Sequence, residues 1–490
     1  MEIQTSIPGL DTLIGSTVAQ RLIDSEIPLP EGRFAASVLS VSAQLQVEES
    51  ACGEQSVHTS GRLSLQLLCQ SDSGDPFGFS SSSSFTHEIA MEGVQEGMQA
   101  MVTGQLLECR CVAENGRLRL NAVLELAARV TAALTTPLVT GIAGGAGLET
   151  RMAQIEKRRR VLLGEHTLRV REEIAAPNVS RIFLYSGAAQ MRELSYSGNS
   201  VSADGGLYVS VLTGASDGQL SYLTQILSFT DVFEAAYAPD AWATATVEQL
   251  SVTAADESFG VADVEALIHL RLYGVECGET MILTDAYDEN AAFTCVQTEL
   301  TGLKCLGAAQ KRFSLRESVQ IPSHLPEAYR PIWATAIPAA TGVCEQDGKL
   351  CADAMLFVSV LYQCDGGMLH SFTEDIPVQM VFDCDFVPDA VVTLNCLSVQ
   401  ASGSGRTPEL QFTIEGCAER YAAYPVRATA EVVAGGEKPP YQGVIVYCAD
   451  AGDTLWSIGK RFLVPLSRLS EWNGLLTEPL AEGQQILVIR

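Results

Sequence analysis

Six-residue apolar stretches recur three times along the chain and organise its hydrophobic pattern. Residues 207–212 read LYVSVL, residues 356–361 read LFVSVL, and residues 63–68 read LSLQLL in a weaker copy. Apolar residues that alternate with polar ones, with β-branched side chains among them, are typical of a half-buried strand. Each stretch therefore predicts a β-strand, and the recurrence predicts a repeated unit.

A second strand follows each stretch. In the second and third copies the intervening residues 214–218 and 365–367 are rich in Gly and Asp, which predicts a tight hairpin turn. In the first copy the matching motif is residues 85–89, which comes six residues later. The serine run at residues 80–84 therefore predicts a longer loop in that copy.

The copies are too far apart for a solenoid, since their period is about 145 residues. They predict three related, mainly β domains at approximately residues 27–131, 165–276 and 311–425. Residues 132–164 and 426–440 are expected to join them. Within the first joint, residues 130–148 are rich in Ala, Gly and Thr and predict a linker, and the basic run at residues 157–160 predicts a solvated helix face.

The last fifty residues follow a different pattern. Residues 444–449 and 485–489 predict strands, and the apolar spacing of residues 454–462 predicts a helix after the turn at Gly452 and Asp453. Pro465 separates this helix from a second one that ends near Asn473. The fold class predicted is thus multidomain and mainly β, with three related β-rich domains followed by a small α+β (βααβ) unit at residues 441–490.

This C-terminal unit resembles the LysM domain, through residues 452–458, Asn473 and Gly483-Gln484. Ala451 and Gly459 depart from the family, which usually has Pro and Ala there. The resemblance implies a groove between two loops that holds N-acetylglucosamine-containing glycans, lined by Gly452, Asp453, Thr454, Leu455, Asn473, Gly474, Leu475, Leu476 and Thr477. The alternative is purely structural: Asp453 caps a helix, Trp456 packs in a core and Asn473-Gly474 forms a turn.

The third copy resembles the SPOCS domain of clostridial spore-coat proteins, through residues 334–338, 347–349, 356–362, 369–371 and 374–377. Repeats of that domain followed by one LysM domain are similar to spore coat assembly proteins. The resemblance implies a non-enzymatic assembly or anchoring protein in the mother-cell cytoplasm, at the forespore surface. Its implied partner is a spore morphogenetic coat protein, a sporulation ATPase.

Charge and composition narrow the classes of function. The chain has 31 basic and 59 acidic residues and a net charge of −28, which argues against nucleic acid as a partner. Its 47% apolar content is sufficient for packed cores. The first residues lack the basic and apolar pattern of a secretory signal, so a cytoplasmic protein with no transmembrane segment is expected.

Catalytic, metal and cofactor sites are not predicted. The fourteen cysteines show no Cys-x-x-Cys spacing and are expected to be reduced and mostly buried, and the six histidines form no zinc-binding pattern. Residues 214–218 match a nucleophile elbow, but a strand follows where that motif needs a helix, so Ser216 is predicted in a hairpin turn. The alternatives are a peptidoglycan-binding cell-wall protein or a LysM-targeted cell-wall enzyme. Whether the groove holds glycan or protein is left open; cytoplasmic residence favours protein.

Overall fold

The computed structural model describes residues 2–490 apart from 115, 178, 217, 236, 237, 239, 257–259, 436–442 and 475–479. It confirms a multidomain, mainly β fold with a small α+β unit at its C-terminal end. Three successive units of six strands are called lobes. Strand β1 (Glu2–Ser6) precedes lobe 1, which consists of β2 (Asp11–Ile27), β3 (Ser37–Cys52), β4 (Ser56–Gln70), β5 (Pro76–Ala90), β6 (Gln99–Glu114) and β7 (Arg117–Ala133), and β8 (Leu138–Ala143) follows it.

Lobes 2 and 3 repeat this order with longer outer strands. Lobe 2 consists of β9 (Leu148–Ala175), β10 (Arg181–Ser197), β11 (Ser200–Gly214), β12 (Leu220–Glu234), β13 (Trp242–Asp256) and β14 (Val261–Asp288). Lobe 3 consists of β15 (Phe293–Ser318), β16 (Arg330–Gln346), β17 (Lys349–Gln363), β18 (Leu369–Asp385), β19 (Asp389–Ser402) and β20 (Glu409–Ala434). The C-terminal unit consists of β21 (Val444–Cys448), α1 (Leu455–Phe462), α2 (Leu466–Asn473) and β22 (Gln485–Ile489).

Each lobe is a sandwich of two antiparallel groups of three strands. The second, third and fourth strands form one group, as in β3-β4-β5, and the fifth, sixth and first strands form the other, as in β6-β7-β2. Pairing of Leu303 with Asp11 joins one group of lobe 1 and one group of lobe 3 into a six-stranded sheet. Each lobe encloses its own apolar core. Irregularities in register recur at matching places in β3, β10 and β16, and again in β6, β13 and β19. These shared bulges define equivalent positions among the three lobes.

The three recurring apolar stretches form the middle strands β4, β11 and β17. Their first, third and fifth residues face the core of their own lobe, as in Leu63, Leu65 and Leu67. The sixth residue points to the opposite face, since successive side chains alternate across a strand. There Leu68, Leu212 and Leu361 meet in one buried cluster that all three lobes share.

The three lobes close into a ring. In lobe 1, Gln44 donates to the Val247 carbonyl of lobe 2 at 3.3 Å. Asn395 of lobe 3 donates to the Ala189 carbonyl of lobe 2 at 3.4 Å, and Gln105 of lobe 1 to the Ala340 carbonyl of lobe 3 at 3.0 Å. Each pair of lobes is therefore joined, and the ring has approximate threefold symmetry.

Three two-stranded ribbons extend from the ring and are together called the stalk. They consist of β1 with β8, of residues 148–162 with 273–288, and of residues 293–305 with 421–434. Two apolar clusters hold the ribbons together, and each draws residues from all three, such as Val139, Leu283 and Val432. A ribbon alone has too little apolar contact to be stable, so the ribbons depend on one another.

The prediction of a linker at residues 130–148 is wrong. Its residues belong largely to β7, to β8 and to the start of β9. Its low charge reflects burial, because Val130, Leu138 and Val139 are all inaccessible to solvent. Small apolar residues without a strong alternating pattern are compatible with a buried ribbon as well as with a flexible linker, so the sequence pattern did not distinguish the two.

The serine run at residues 80–84 is also not a loop. It lies within β5 and pairs with β4 along its whole length, and the hairpin turn precedes it at residues 71–75. By register, Phe79 is equivalent to Leu223 and Phe372, because their partners Leu67, Val211 and Val360 are equivalent. Pairing with an apolar central strand overrode the weak strand preference of serine.

The basic run at residues 157–160 lies in strand β9 rather than on a helix. Arg158 Nη2 lies 2.6 Å from Asp240 Oδ2, Arg159 Nε 3.0 Å from Asp11 Oδ2 of lobe 1, and Arg160 Nε 2.9 Å from Glu419 Oε2 of lobe 3. The run thus links lobe 2 to both neighbours where the ring meets the stalk. These cations form ion pairs with carboxylates that are distant in the sequence, whereas the sequence pattern predicted that they would be solvated.

Candidate binding sites

The C-terminal unit has a compact core of its own, formed by eight buried apolar residues from β22, both helices and the connecting segments. Ile445 and Tyr447 of β21 are partly buried and pack against this core. Helix α1 begins with a capping box, in which the Thr454 hydroxyl accepts from the Ser457 amide at 3.1 Å and the Ser457 hydroxyl accepts from the Thr454 amide at 3.0 Å. Asp453 accepts from the Tyr447 hydroxyl at 2.7 Å and from the Ser457 hydroxyl at 2.9 Å. These hydrogen bonds hold the pKa of Asp453 below its ordinary value; the largest contribution comes from the Asp450 amide.

Asn473 joins the second helix to the last strand. Its Nδ2 donates to the carbonyls of Leu469 and Leu487, both at 2.8 Å, and its Oδ1 accepts from the Leu487 amide at 2.6 Å. The side chains of Asp453, Thr454 and Asn473 are therefore all engaged inside the unit. Gly452 and Gly474 are exposed in positive-φ turns, Leu455 is half-buried, and Leu475, Leu476 and Thr477 lie outside the described residues.

The helices of this unit rest on the stalk, at a contact called the mount. Asp285 of β14 is its central acceptor: Trp456 Nε1 donates to its Oδ2 at 2.9 Å and Lys460 Nζ to its Oδ1 at 2.5 Å. The Trp456 ring also meets Tyr287 edge-on, with ring centroids 5.2 Å apart. Trp456 thus packs between the C-terminal unit and the stalk. The sequence analysis considered a glycan groove and a packed core for this unit, and neither included such a contact.

Two more carboxylates of the stalk complete the mount. Glu149 Oε1 accepts from the Leu466 amide at 3.0 Å, which satisfies a free donor at the start of α2, where the cap residue Pro465 offers no side-chain oxygen. Glu289 Oε1 accepts from Arg468 Nη1 at 2.5 Å. The stalk therefore caps a helix of the C-terminal unit in addition to pairing with its cations.

Gly459 allows the closest approach in the mount. The Tyr287 hydroxyl donates to the Val464 carbonyl at 2.9 Å, and a Cβ added at Gly459 would lie 2.3 Å from that hydroxyl and 3.0 Å from that carbonyl. Burial raises the pKa of Tyr287, so the hydroxyl remains a donor. The departure from the usual Ala at this position has a physical reason: the side chain would occupy the space of the stalk.

A cavity of about 1710 Å³ lies inside the ring. Two strands of each lobe contribute most of its lining, namely β3 and β6, β10 and β13, and β16 and β19, and other strands of all three lobes contribute the remainder. Register places Glu125, His269 and Glu415 at equivalent positions in its wall, since they pair with Gln105, Thr246 and Asn395. The sequence analysis did not single out these three residues, because their equivalence depends on the positions of the bulges, which the strand pairing reveals.

The three equivalent residues have different partners. Glu125 accepts from Gln105 Nε2 at 2.5 Å, and His269 Nδ1 lies 2.9 Å from Glu248 Oε1. Burial raises the pKa of Glu415 to about 8, against a smaller opposing effect of a hydrogen bond from Gln190. Glu415 is consequently a neutral acid over much of the pH range in which ordinary glutamates are charged.

Replacing Glu415 with Gln is expected to remove a pH dependence of stability. A carboxyl whose pKa is higher in the folded than in the unfolded chain stabilises the fold while protonated, and that contribution is lost as the pH rises from about 4.5 through about 8. Urea unfolding at pH 5 and pH 9 should show the variant nearly equal to the wild type at pH 5 and more stable than it at pH 9.

Glu409→Gln, at the exposed first position of the same strand, is the matched control and should track the wild type at both pH values. A Glu415→Gln variant that loses as much stability between pH 5 and pH 9 as the wild type would contradict the assignment.

The cysteines and Ser216 were also candidates in the sequence. All fourteen cysteines are free thiols, and only Cys277 and Cys448 are exposed. Cys109 and Cys111 pack on the core of lobe 1, and burial raises their pKa to about 12 and about 11. Ser216 is exposed in the turn between β11 and β12, in which the Ala215 amide donates to the Gln219 carbonyl and the Gly218 amide donates to the Ala215 carbonyl.

Comparison with known families assigns the C-terminal unit. Residues 450–488 match the LysM domain, which suggests binding of peptidoglycan or another glycan. No curated protein and no solved structure matches the chain. Within the part of the chain that the structure describes, neither helix has the length and apolar character needed to cross a bilayer.

Proposed function

We propose that this protein is a non-enzymatic spore coat assembly or anchoring protein, and that its LysM domain binds a protein partner at the forespore surface. The observation that carries the proposal is a LysM domain whose helices are docked on the stalk of the three-lobed ring. Binding modules fixed in one orientation lose less entropy on association than modules on flexible tethers.

The mount leaves a specific part of the LysM domain for a partner. Its hydrogen bonds and ion pairs involve residues 456–468, whereas the groove implied by the family lies at residues 452–455 and 473–477. The stalk and the groove thus use different residues.

The chemistry of the groove favours a protein over a sugar. Neither residues 450–455 nor residues 473–479 include an aromatic side chain on which a sugar ring could stack. The polar side chains Asp453, Thr454 and Asn473 are bonded within the domain, so a sugar would have to compete with those bonds. Apolar side chains such as Leu475 and Leu476 are suited to act as anchors in a protein interface.

The location rests on resemblance. The likeness of residues 334–377 to SPOCS domains, with one LysM domain at the C-terminal end, supports a place in the mother-cell cytoplasm. The implied partner there is a sporulation ATPase. Glycan binding is the second candidate, because the LysM match itself favours an N-acetylglucosamine ligand.

Replacing both Leu475 and Leu476 with Ala tests the choice between these ligands. If they anchor a protein interface, the full chain should bind the purified sporulation ATPase about 10- to 100-fold more weakly, a loss of about 1 to 3 kcal/mol. Calorimetry measures both the wild type and the variant, and the melting temperature should stay nearly unchanged.

Val444→Ala serves as the control, since Val444 is an exposed apolar residue on the first strand of the same domain. Micromolar binding of N-acetylglucosamine oligomers by the full chain, without measurable binding of the ATPase, would establish the glycan reading instead. Changes at Thr454 or Asn473 are poor tests, because they would disturb the fold of the domain itself.

A further inference from the structure

Two thiols and a carboxylate converge on one face of lobe 3. Cys344 and Cys351 lie directly opposite each other in the β16–β17 hairpin, and Asp353 follows two residues later on the same face. Their Sγ atoms and a carboxylate oxygen all lie within 4.8 Å of one another. Lobes 1 and 2 have no such group, since the equivalent residues are Ala51, His58 and Ser60 in one and Ser195, Ser202 and Asp204 in the other.

The hairpin turn sets this arrangement. Asp347 and Gly348 both have positive φ, 52° and 79°, as a tight two-residue hairpin turn requires. Pairing then proceeds outward from the turn, and Cys344 and Cys351 meet as the third pair. Two cysteines at equal distances on either side of a two-residue turn are the sequence signal for this site, and a search for Cys-x-x-Cys misses it.

Gly342 leaves space beside the three groups. It pairs with Asp353, and a Cβ built on it would have no neighbour within 4 Å. The equivalent residues of the other two lobes are glutamates, Glu49 and Glu193, which pair with Ser60 and Asp204. Lobe 3 alone thus combines paired thiols with an open position next to them.

A neighbouring strand orients the carboxylate. Gln379 Nε2 of β18 donates to Asp353 Oδ1 at 2.7 Å, which leaves the other carboxylate oxygen for a second interaction. Residues that hydrogen-bond a ligating carboxylate in this way fix its orientation in metal sites. Asp353 has no part in a disulfide between the two cysteines, so its placement favours a metal over an oxidised pair.

We propose that Cys344, Cys351 and Asp353 bind one Zn²⁺ ion, with a fourth position left open at Gly342. Zinc takes cysteine sulfur and carboxylate oxygen in tetrahedral sites, and three protein ligands with one open position is an arrangement that it commonly adopts. Binding releases the proton of each thiol and forms two zinc–sulfur bonds and one zinc–oxygen bond, with no change of oxidation state.

Cobalt titration of the full chain tests the site directly. The protein is purified under reducing conditions, freed of metal with a chelator and titrated with Co²⁺. One equivalent should produce the visible bands of tetrahedral cobalt together with a thiolate-to-cobalt charge-transfer band, and one equivalent of Zn²⁺ should abolish both. The double variant Cys344→Ser/Cys351→Ser should lose the charge-transfer band, whereas Cys277→Ser, which changes an exposed thiol, should keep it.

A second variant keeps the test valid if the double variant fails to fold. Gln379→Ala retains all three ligands and should weaken zinc affinity about 10- to 100-fold, as the loss of an orienting hydrogen bond does. Absence of the charge-transfer band in the wild type, its retention in the double variant, or a Cys344–Cys351 disulfide in protein extracted with thiols blocked would each overturn the proposal.

Discussion

Replacing Gly78 with Ala should separate lobe 1 from lobe 2 and destabilise the chain by about 3 kcal/mol. A Cβ at Gly78 of β5 would lie 1.7 Å from the carbonyl oxygen of Phe183, in the main chain of β10. A main-chain carbonyl cannot rotate away as a side chain can, so the two strands must move apart. The shared cluster around Leu68, Phe183 and Leu212 would then lose its close packing.

Urea unfolding measures the loss, and hydrogen exchange should show the largest change at the ends of β4 and β10. Gly145→Ala is the matched control, because Gly145 has no neighbour within 4 Å of its Cβ position and should change stability by less than about 0.5 kcal/mol. Equal stability of the Gly78 and Gly145 variants would show that the lobes do not meet as described.

Replacing Gly459 with Ala should release the LysM domain from the stalk, although Ala is the residue usual in the family. The change favours helix α1 by about 1 kcal/mol, because Gly loses more conformational freedom in a helix. The new methyl group would meet the Tyr287 hydroxyl and the Val464 carbonyl, which form a buried hydrogen bond of the mount. Overpacking of this kind costs about 1 to 3 kcal/mol, which lowers the ratio of docked to free domains about tenfold or more.

Small-angle X-ray scattering of the full chain should show a larger radius of gyration, and limited proteolysis should release a C-terminal fragment faster. Ser467→Ala, at an exposed position of α2, is the control and should leave both measurements unchanged. If the Gly459→Ala variant gives the same scattering as the wild type, the contact between the domain and the stalk tolerates the added methyl group and the prediction is wrong.

Neither Gly78 nor Gly459 can be explained from its neighbours in the sequence. Gly78 lies in an ordinary strand and Gly459 in an ordinary helix, and local propensity alone favours Ala at both positions. The reason for glycine lies in a second segment, at Phe183 in one case and at Tyr287 in the other. No window of sequence around either glycine includes its partner.

The environment of the basic run at residues 157–160 also depends on residues that are distant in the sequence. Four adjacent cations in an acidic chain predict a solvated surface when only neighbours in sequence are considered. In the folded chain Arg159 meets Asp11 and Arg160 meets Glu419, residues that are far away along the chain. Such pairs matter because charges removed from water are stable only next to an opposite charge.

Some predictions from the sequence remain untested by the fold. Residues 27–131, 165–276 and 311–425 as three separately folding domains stay a prediction, and the shared cluster at Leu68, Leu212 and Leu361 makes their independence a question for experiment. Leu475, Leu476 and Thr477 also stay predicted ligand residues.

The sequence by itself determined the local elements of this protein: the three matching strands at residues 63–68, 207–212 and 356–361, the hairpin turns at Ser216 and Gly366, and the two helices of the LysM domain. Alternation, helical spacing and turn residues are properties of neighbouring residues, so they can be recognised without the fold. Only the tertiary structure decided the ring, its cavity, the stalk and the mount. These features depend on which faces of distant segments meet. The sixth residue of each apolar stretch, for example, is buried because the other two copies of the stretch pack against it in a shared cluster.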